Sequence, residues 1–335
     1  MIRKATLVVF ALLALPGARA LHAQSGSELP PPGFHHMHLL STDPDAAIQW
    51  YTEQFESTSR TTWEGMPALA SPNNVLIVFT KVDQPPKTEP QTAVWHFGWH
   101  VTDVRAKNAD YLKRHVSLAP LWTGDGDDYV WVSSDTWPGA PGSLGRTKEQ
   151  IQEAKAQNLK PRGGAGFAYL NGPDGVWIEY QGDMPKERFN HVHMFYEQPR
   201  CATLWYHEHL NVPMPTGRRA PKEPITKENC AFQNDFVRSW PSLTKDGMVR
   251  TPSGGAVFDD VAMFGYGQQY PKPLVSTRGH TVDHVALSVR DLDAWHDKLM
   301  GEGVTFLKHP YKIGDTRAFM IEGPSKVALQ FVEVK

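Results

Sequence analysis

His36-Met37-His38-Leu39-Leu40, His96-Phe97-Gly98-Trp99-His100, His191-Val192-His193-Met194-Phe195 and His284-Val285-Ala286-Leu287-Ser288 are four stretches in which a histidine opens an apolar run. Seven residues after the leading histidine stand Asp43, Asp103 and Asp291, and the third stretch has Gln198 there. Behind each of these positions the chain turns amphipathic at helical spacing. Asp43 suits an N-cap and Pro44 the first helical position, while Ala47, Ile48, Tyr51 and Phe55 share one face. Asp291 likewise precedes Leu292, Trp295 and Leu299, and Gly301 and Gly303 close that helix. The chain therefore reads as four copies of one strand-then-helix unit. Such repetition has a chemical consequence, because histidines that begin equivalent strands can be brought to one centre when units pair.

The end of a unit is legible by alternation. After the turn Gly172-Pro173-Asp174-Gly175, Val176, Ile178 and Tyr180 share one face of a strand, and Trp177, Glu179 and Gln181 share the other. The last unit repeats this turn as Gly323-Pro324-Ser325-Lys326 and carries Gln330 where the earlier one has Glu179, each seven residues after its glycine. Phe189-Asn190-His191-Val192-His193-Met194 repeats Phe34-His35-His36-Met37-His38-Leu39, with a polar turn at 182–188 before it. The expected division is thus a first domain over 34–182 and a second over 189–335.

At 335 residues, 40% hydrophobic and 21% charged, the chain has globular composition and the length of two domains. Its net charge of -2 gives no electrostatic case for nucleic acid or an anionic membrane. A small molecule is the expected partner, and a homodimer is compatible with this composition. Arg3 and Lys4, the apolar run 5–15 and the small-residue site Ala18-Arg19-Ala20 predict a secretory signal peptide over 1–23, cleaved after Ala20 or Ala23; an uncleaved anchor is the alternative. A secreted or periplasmic location, with no membrane contact after cleavage, follows. Residues 24–33, with Pro30-Pro31-Pro32, predict an extended lead-in. Cys201 and Cys230 are the two cysteines of the chain; in an oxidising compartment they can pair, and as buried thiols they can equally remain free.

These residues resemble the vicinal oxygen chelate superfamily, which includes glyoxalase I, extradiol ring-cleaving dioxygenases and bleomycin-resistance proteins. The resemblance covers Phe34 to Lys335 and implies an α+β fold of four βαβββ modules paired into two cup-shaped, glyoxalase-like domains. It implies a divalent metal held by a residue on the first strand of each paired module and an acid on a last strand. Carried onto the first domain, these positions are His36, His96 and Glu179. Two histidines and a carboxylate suit iron(II) or manganese(II) as the first expectation and zinc as the second, and would leave positions open for a substrate's two vicinal oxygens. His38 and His100 lie on the same strand faces as His36 and His96, so the register of the ligands is open, and one of each pair is a candidate for moving a proton. The second domain presents His191, His284 and Gln330; the loss of the acid makes a vestigial cup the expectation there.

Within the superfamily, a glyoxalase I activity is disfavoured. The last strand of the first unit, Val75-Leu76-Ile77-Val78-Phe79-Thr80, offers no acid for a fourth ligand, and glutathione adducts are cytosolic substrates. The extradiol dioxygenases are more similar. Tyr169 ahead of Asn171-Gly172-Pro173 and Glu179 matches a tyrosine of their signature, although 163–168 lacks the histidine expected there, leaving the proton relay to His38 or His100. Oxygen-dependent cleavage of a catechol-like ring is the first expectation for the reaction. A lyase or isomerase, and a metal-free small-molecule binding protein, are the alternatives. Long insertions at 119–165, with Trp122, Trp131, Trp137 and a helix-like stretch 147–158, and at 211–256 are candidate lids over an aromatic pocket.

Overall fold

The computed structural model describes residues 29–119, 167–182, 184–217, 220–231, 253–267 and 273–335, with the short stretches 121–122, 129–130, 153, 156–157, 242–244 and 247–249. The expected signal peptide, the lead-in through residue 28, Trp131, Trp137, the Trp122 side chain and most of 147–158 lie outside the described residues.

In chain order, the first unit is β1 (Gly33–Ser41), α1 (Pro44–Gln54), β2 (Ser59–Trp63), β3 (Met66–Ala70) and β4 (Leu76–Lys81). The second is β5 (Val94–His100), α2 (Val104–Lys113), β6 (Leu118–Ala119), β7 (Leu121–Trp122), β8 (Tyr129–Val130), β9 (Phe167–Asn171) and β10 (Trp177–Gln181). The third is β11 (Arg188–Tyr196), α3 (Pro199–Leu210), β12 (Ser242–Thr244), β13 (Gly247–Val249), β14 (Ser253–Phe258) and β15 (Val261–Gly267). The fourth is β16 (Val282–Val289), α4 (Leu292–Gly301), β17 (Phe306–Ile313), β18 (Thr316–Glu322) and β19 (Ala328–Glu333).

The start of each helix follows from its cap. Asp43, Asp103 and Asp291 each accept a hydrogen bond from the backbone N–H three residues on, satisfying one of the otherwise unpaired first-turn donors. Gln198 makes no such bond, and α3 relies on Pro199 at its first position. The two Gly-Pro turns form matching single 3-10 turns, with Asp174 and Ser325 both left-handed at φ 55° and 57°.

The units pair in an order the repeats alone do not specify. One eight-stranded sheet runs β17-β18-β19-β16-β1-β4-β3-β2, and a seven-stranded sheet runs β14-β15-β11-β5-β10-β9-β6. Unit one therefore joins unit four, antiparallel through β1 and β16, and unit two joins unit three through β5 and β11. Hydrogen bonding crosses the division at 182/189 that the sequence repeat marks. The first strand of each unit lies parallel to its own last strand, as β5 does to β10 and β16 to β19. Helices and outer sheet faces merge into one core in which Tyr51 of α1 lies 5.8 Å from Trp99 and 6.4 Å from Phe97 of β5, all three fully buried. Burying such aromatic area across the two sheets fixes them back to back, with their concave faces turned away from the shared core. Cys201 of α3 and Cys230 form a disulfide, tying the 220–231 segment to that helix.

Candidate metal centre

Alternation along β5 puts His96, Gly98 and His100 on one face, and β10 places Glu179 directly beside Gly98. On the other flank β11 sets His193 opposite His96 and His191 opposite Gly98. Four side chains from three strands thereby converge: His96, Glu179, His191 and His193 can each offer one atom, all within 4.8 Å of one another. His96 Nε2 lies 2.7 Å from Glu179 Oε2 and 2.8 Å from His193 Nδ1. His191 Nε2 and His193 Nδ1 lie 3.4 Å and 3.5 Å from the same carboxylate oxygen. His96, Glu179 and His191 are buried, and His193 is partly exposed at the concave surface.

The electrostatics follow from this burial. Loss of solvent drives His96 down to about 3, against the pull of Glu179, and the neighbouring imidazoles add to the fall. Burial alone would raise the Glu179 carboxyl, but His191 and the contacts from His191, His193 and His96 hold it well below the usual carboxylate range. The site is a buried carboxylate ringed by three histidine side chains.

These residues fit a divalent cation. His191 Nδ1 is 2.8 Å from Asn190 Oδ1 and 3.2 Å from Gln181 Nε2, so two amide side chains hold the ring from behind and turn Nε2 toward Glu179. That Nε2 is buried toward the carboxylate with no hydrogen bond. One imidazole proton cannot serve both contacts of His96 Nε2, whereas a cation among the four atoms would use every lone pair. Imidazole nitrogen and carboxylate oxygen are the donors that iron(II), manganese(II) and zinc accept.

Of the residues predicted from the sequence, the structure brings together His96 and Glu179. His36 does not join them: β1 pairs with β16, so His36 lies in the other sheet with His38 and His284. His38 is accordingly removed from the Glu179 centre as well, and cannot relay a proton there. His100 is two residues beyond Gly98 on the same face, half-buried, and is pushed to about 4 by burial and by the charges of His191 and Arg188. Tyr169 sits opposite Glu179 in the β9–β10 register, its ring edge-on to His96 at 5.0 Å. The residues missed were His191 and His193 as partners of Glu179. Their signal was present in the His-x-His doublet that repeats 36–38 at 191–193.

A cavity of about 330 Å³ opens with His96 in its wall, lined also by Trp95, Trp177, Phe195, Lys87 and His280. Trp95 reaches this side because β5 is irregular there: His193 pairs with His96 but Met194 with Val94, leaving Trp95 bulged out of the ladder. Its ring stacks on Phe195 at 5.3 Å and lies parallel to His193 at 6.0 Å. Among the described residues, strand residues supply the aromatic lining; the insertion tryptophans expected to do so lie outside them.

Residues 188–331 match the family model of the Glyoxalase/Bleomycin resistance protein/Dioxygenase superfamily. Glyoxalase I from Zea mays superposes with a TM-score of 0.54 at 13% identity, over 90% of this chain and 92% of that one. A putative dioxygenase from Bacillus subtilis subsp. subtilis str. 168 superposes with a TM-score of 0.53 at 12% identity, over 91% and 86% of the two chains. At these identities the likeness speaks to fold alone. No curated protein sequence matches the chain. The match to this superfamily's model is confined to residues 188–331, and the chain as a whole shares the four-module, two-cup fold of these structures.

Proposed function

We propose that the cup of β5, β10 and β11 holds a divalent cation on His96, His191, His193 and Glu179, and that the protein is an enzyme for a small substrate with two adjacent oxygens. The observation that carries this reading is the convergence of four possible donor atoms, three imidazole nitrogens and one buried carboxylate oxygen, within 4.8 Å of one another. Bound there, a divalent cation would polarise the substrate's paired oxygens and, if redox-active, allow reaction with dioxygen.

The chain's own residues do the rest. Trp95, Trp177 and Phe195 give the cavity flat apolar walls that fit an aromatic ring, and its volume is that of a small-ligand site. Lys87 in the same wall supplies a positive charge for an anionic substituent. Asn190 holds the His191 ring, and Tyr169 packs against His96, so the donors are preset. His100, on the same face of β5 as His96 and Gly98, is placed beside the centre to accept a hydrogen bond from a substrate hydroxyl. These features support oxygen-dependent cleavage of a catechol-like ring as the reaction.

A lyase or isomerase acting on a hydroxy-carbonyl compound is the second reading, favoured by His193 as a fourth protein donor beyond two histidines and a carboxylate. Export of the protein is part of the proposal, supported by the N-terminal sequence pattern and by the Cys201–Cys230 disulfide, which suits an oxidising compartment.

The test is metal content by mass spectrometry on protein purified without air, beside its Glu179→Ala variant. Iron or manganese lost in the variant, with oxygen uptake on catechols, would support ring cleavage. Zinc or nickel lost in the variant would favour the lyase or isomerase. No metal dependent on Glu179 would sink the enzyme reading and leave a cup that binds small molecules.

A further inference from the structure

The cup of units one and four repeats the same constellation with one charge removed. His38 faces His284 across β1 and β16, as His193 faces His96 across β11 and β5. His36 faces Ala286, and Ala286 faces Gln330 on β19, just as His191 faces Gly98 and Gly98 faces Glu179. Gln330 therefore stands where the other cup has its carboxylate.

The polar atoms of these four side chains divide cleanly. His36 Nδ1 is 2.7 Å from His35 Nδ1, His38 Nε2 is 2.7 Å from Thr80 Oγ1, and His284 Nδ1 is 2.7 Å from Asp283 Oδ2. The Gln330 amide nitrogen donates to the Tyr311 hydroxyl at 2.7 Å. The remaining atom of each, His36 Nε2, His38 Nδ1, His284 Nε2 and Gln330 Oε1, is buried with no hydrogen-bond partner. Each of the three histidines can place a ring nitrogen within 4.8 Å of the other two. A buried polar atom without a partner is costly, and here the strand register brings four such side chains together. Each ring is also steered from behind. Asp283, paired with Arg278 and holding the Gly279 N–H at 2.7 Å, lies 2.7 Å from the outer nitrogen of His284, which Arg278 also approaches at 3.2 Å, so the ring is oriented from behind with its inner nitrogen toward the cup.

We propose that these side chains form a second metal site, separate from the first, that takes an imidazole-preferring divalent cation such as zinc or copper(II). His36 Nε2, His38 Nδ1 and His284 Nε2 are the donors, with the Gln330 amide oxygen as a weaker fourth. A shell of three imidazoles and an amide has no anionic oxygen, so it selects against magnesium, calcium and manganese. Being neutral, it leaves the charge of the cation uncompensated, and an anion is the natural occupant of any open position.

The experiment uses the full chain, stripped with chelator and titrated with zinc sulfate, with bound zinc counted by mass spectrometry after desalting and affinity read by calorimetry. His284→Asn and His36→Asn are each expected to lower the count by one equivalent relative to the unsubstituted protein. That difference stands whether or not the first cup takes zinc, so failure of the function proposed above would not be mistaken for failure here. Gln330→Glu restores the missing charge and is expected to tighten the site at least tenfold, a gain that misfolding cannot mimic. An unchanged zinc count in both histidine variants, or an unchanged affinity in Gln330→Glu, would overturn the inference.

Discussion

Gly98 faces His191 across β5 and β11, and the space a side chain at 98 would need is already filled: a Cβ there would lie 2.5 Å from His191 Cε1 and 2.4 Å from the Glu179 carbonyl oxygen. The bare backbone is what lets the imidazole of one strand and the carboxylate of another meet at 3.4 Å. In the opposite cup the corresponding residue is Ala286. The two cups thus differ at the approach of their strands as well as at the acid.

Gly98→Ala is expected to push the His191 ring away from Glu179. Overpacking of this kind costs about 1–3 kcal/mol, and metal affinity in the first cup should fall at least tenfold. Metal titration together with thermal unfolding separates the two effects. Unaltered affinity would show that His191 is not a donor.

Asn190→Ala removes the partner that orients His191 without touching the donor atoms. Loss of such an orienting contact typically costs about 10–100-fold in metal affinity, and stability should change by only about 1 kcal/mol. Rescue by Asn190→Asp, which restores an acceptor for Nδ1–H, would separate orientation from packing.

Acid should unfold the metal-free protein earlier than an average domain. His38 and His96 are lowered from 6.5 to about 3, and His35 and His100 to about 4, in every case first by burial. Below pH 6.5 the unfolded chain binds protons that the folded chain refuses, so stability is full above that pH and drains away as pH falls toward 3. Glu179, also depressed, adds loss of the same sign once pH drops below its ordinary 4.5. The urea midpoint measured at intervals from pH 8 to pH 4 should fall continuously below about 6.5. A flat profile between pH 7 and pH 5 would mean that these imidazoles are solvated.

Replacing Cys201 and Cys230 by serine opens a loop of 29 residues, worth about 3–4 kcal/mol on the chain-entropy account. The melting temperature should drop accordingly, while metal content stays the same because neither cysteine adjoins β5, β10 or β11. A loss of metal in the double variant would show that α3 positions β11 more directly than the pairing describes.

Much of the fold was legible locally. Asp43, Asp103 and Asp291 were readable as caps because a short side chain with an acceptor, placed just before an amphipathic run, has one good use. The Gly-Pro turns and the alternation that buries Ile178 and Tyr180 while turning Glu179 inward to the cup were readable for the same reason. Trp95 was not, because strict alternation puts it on the face away from His96; it reaches the cavity through a bulge that depends on its partner strand.

The sequence by itself determined the donor inventory: units one and three each carry a His-x-His strand, and units two and four each carry a histidine on the first strand and Glu179 or Gln330 on the last. Pairing one with two and three with four yields two cups of three histidines and an acid or amide. Pairing one with four and two with three yields the same count. Nothing local separates these solutions, since β1, β5, β11 and β16 present the same pattern of faces to any neighbour. Only the tertiary structure decided that Glu179 meets His191 and His193 rather than His36 and His38. The choice between equivalent strand edges is made by packing between units that do not share a sheet, such as Tyr51 against Trp99 and Phe34 against Phe189, which close into one core.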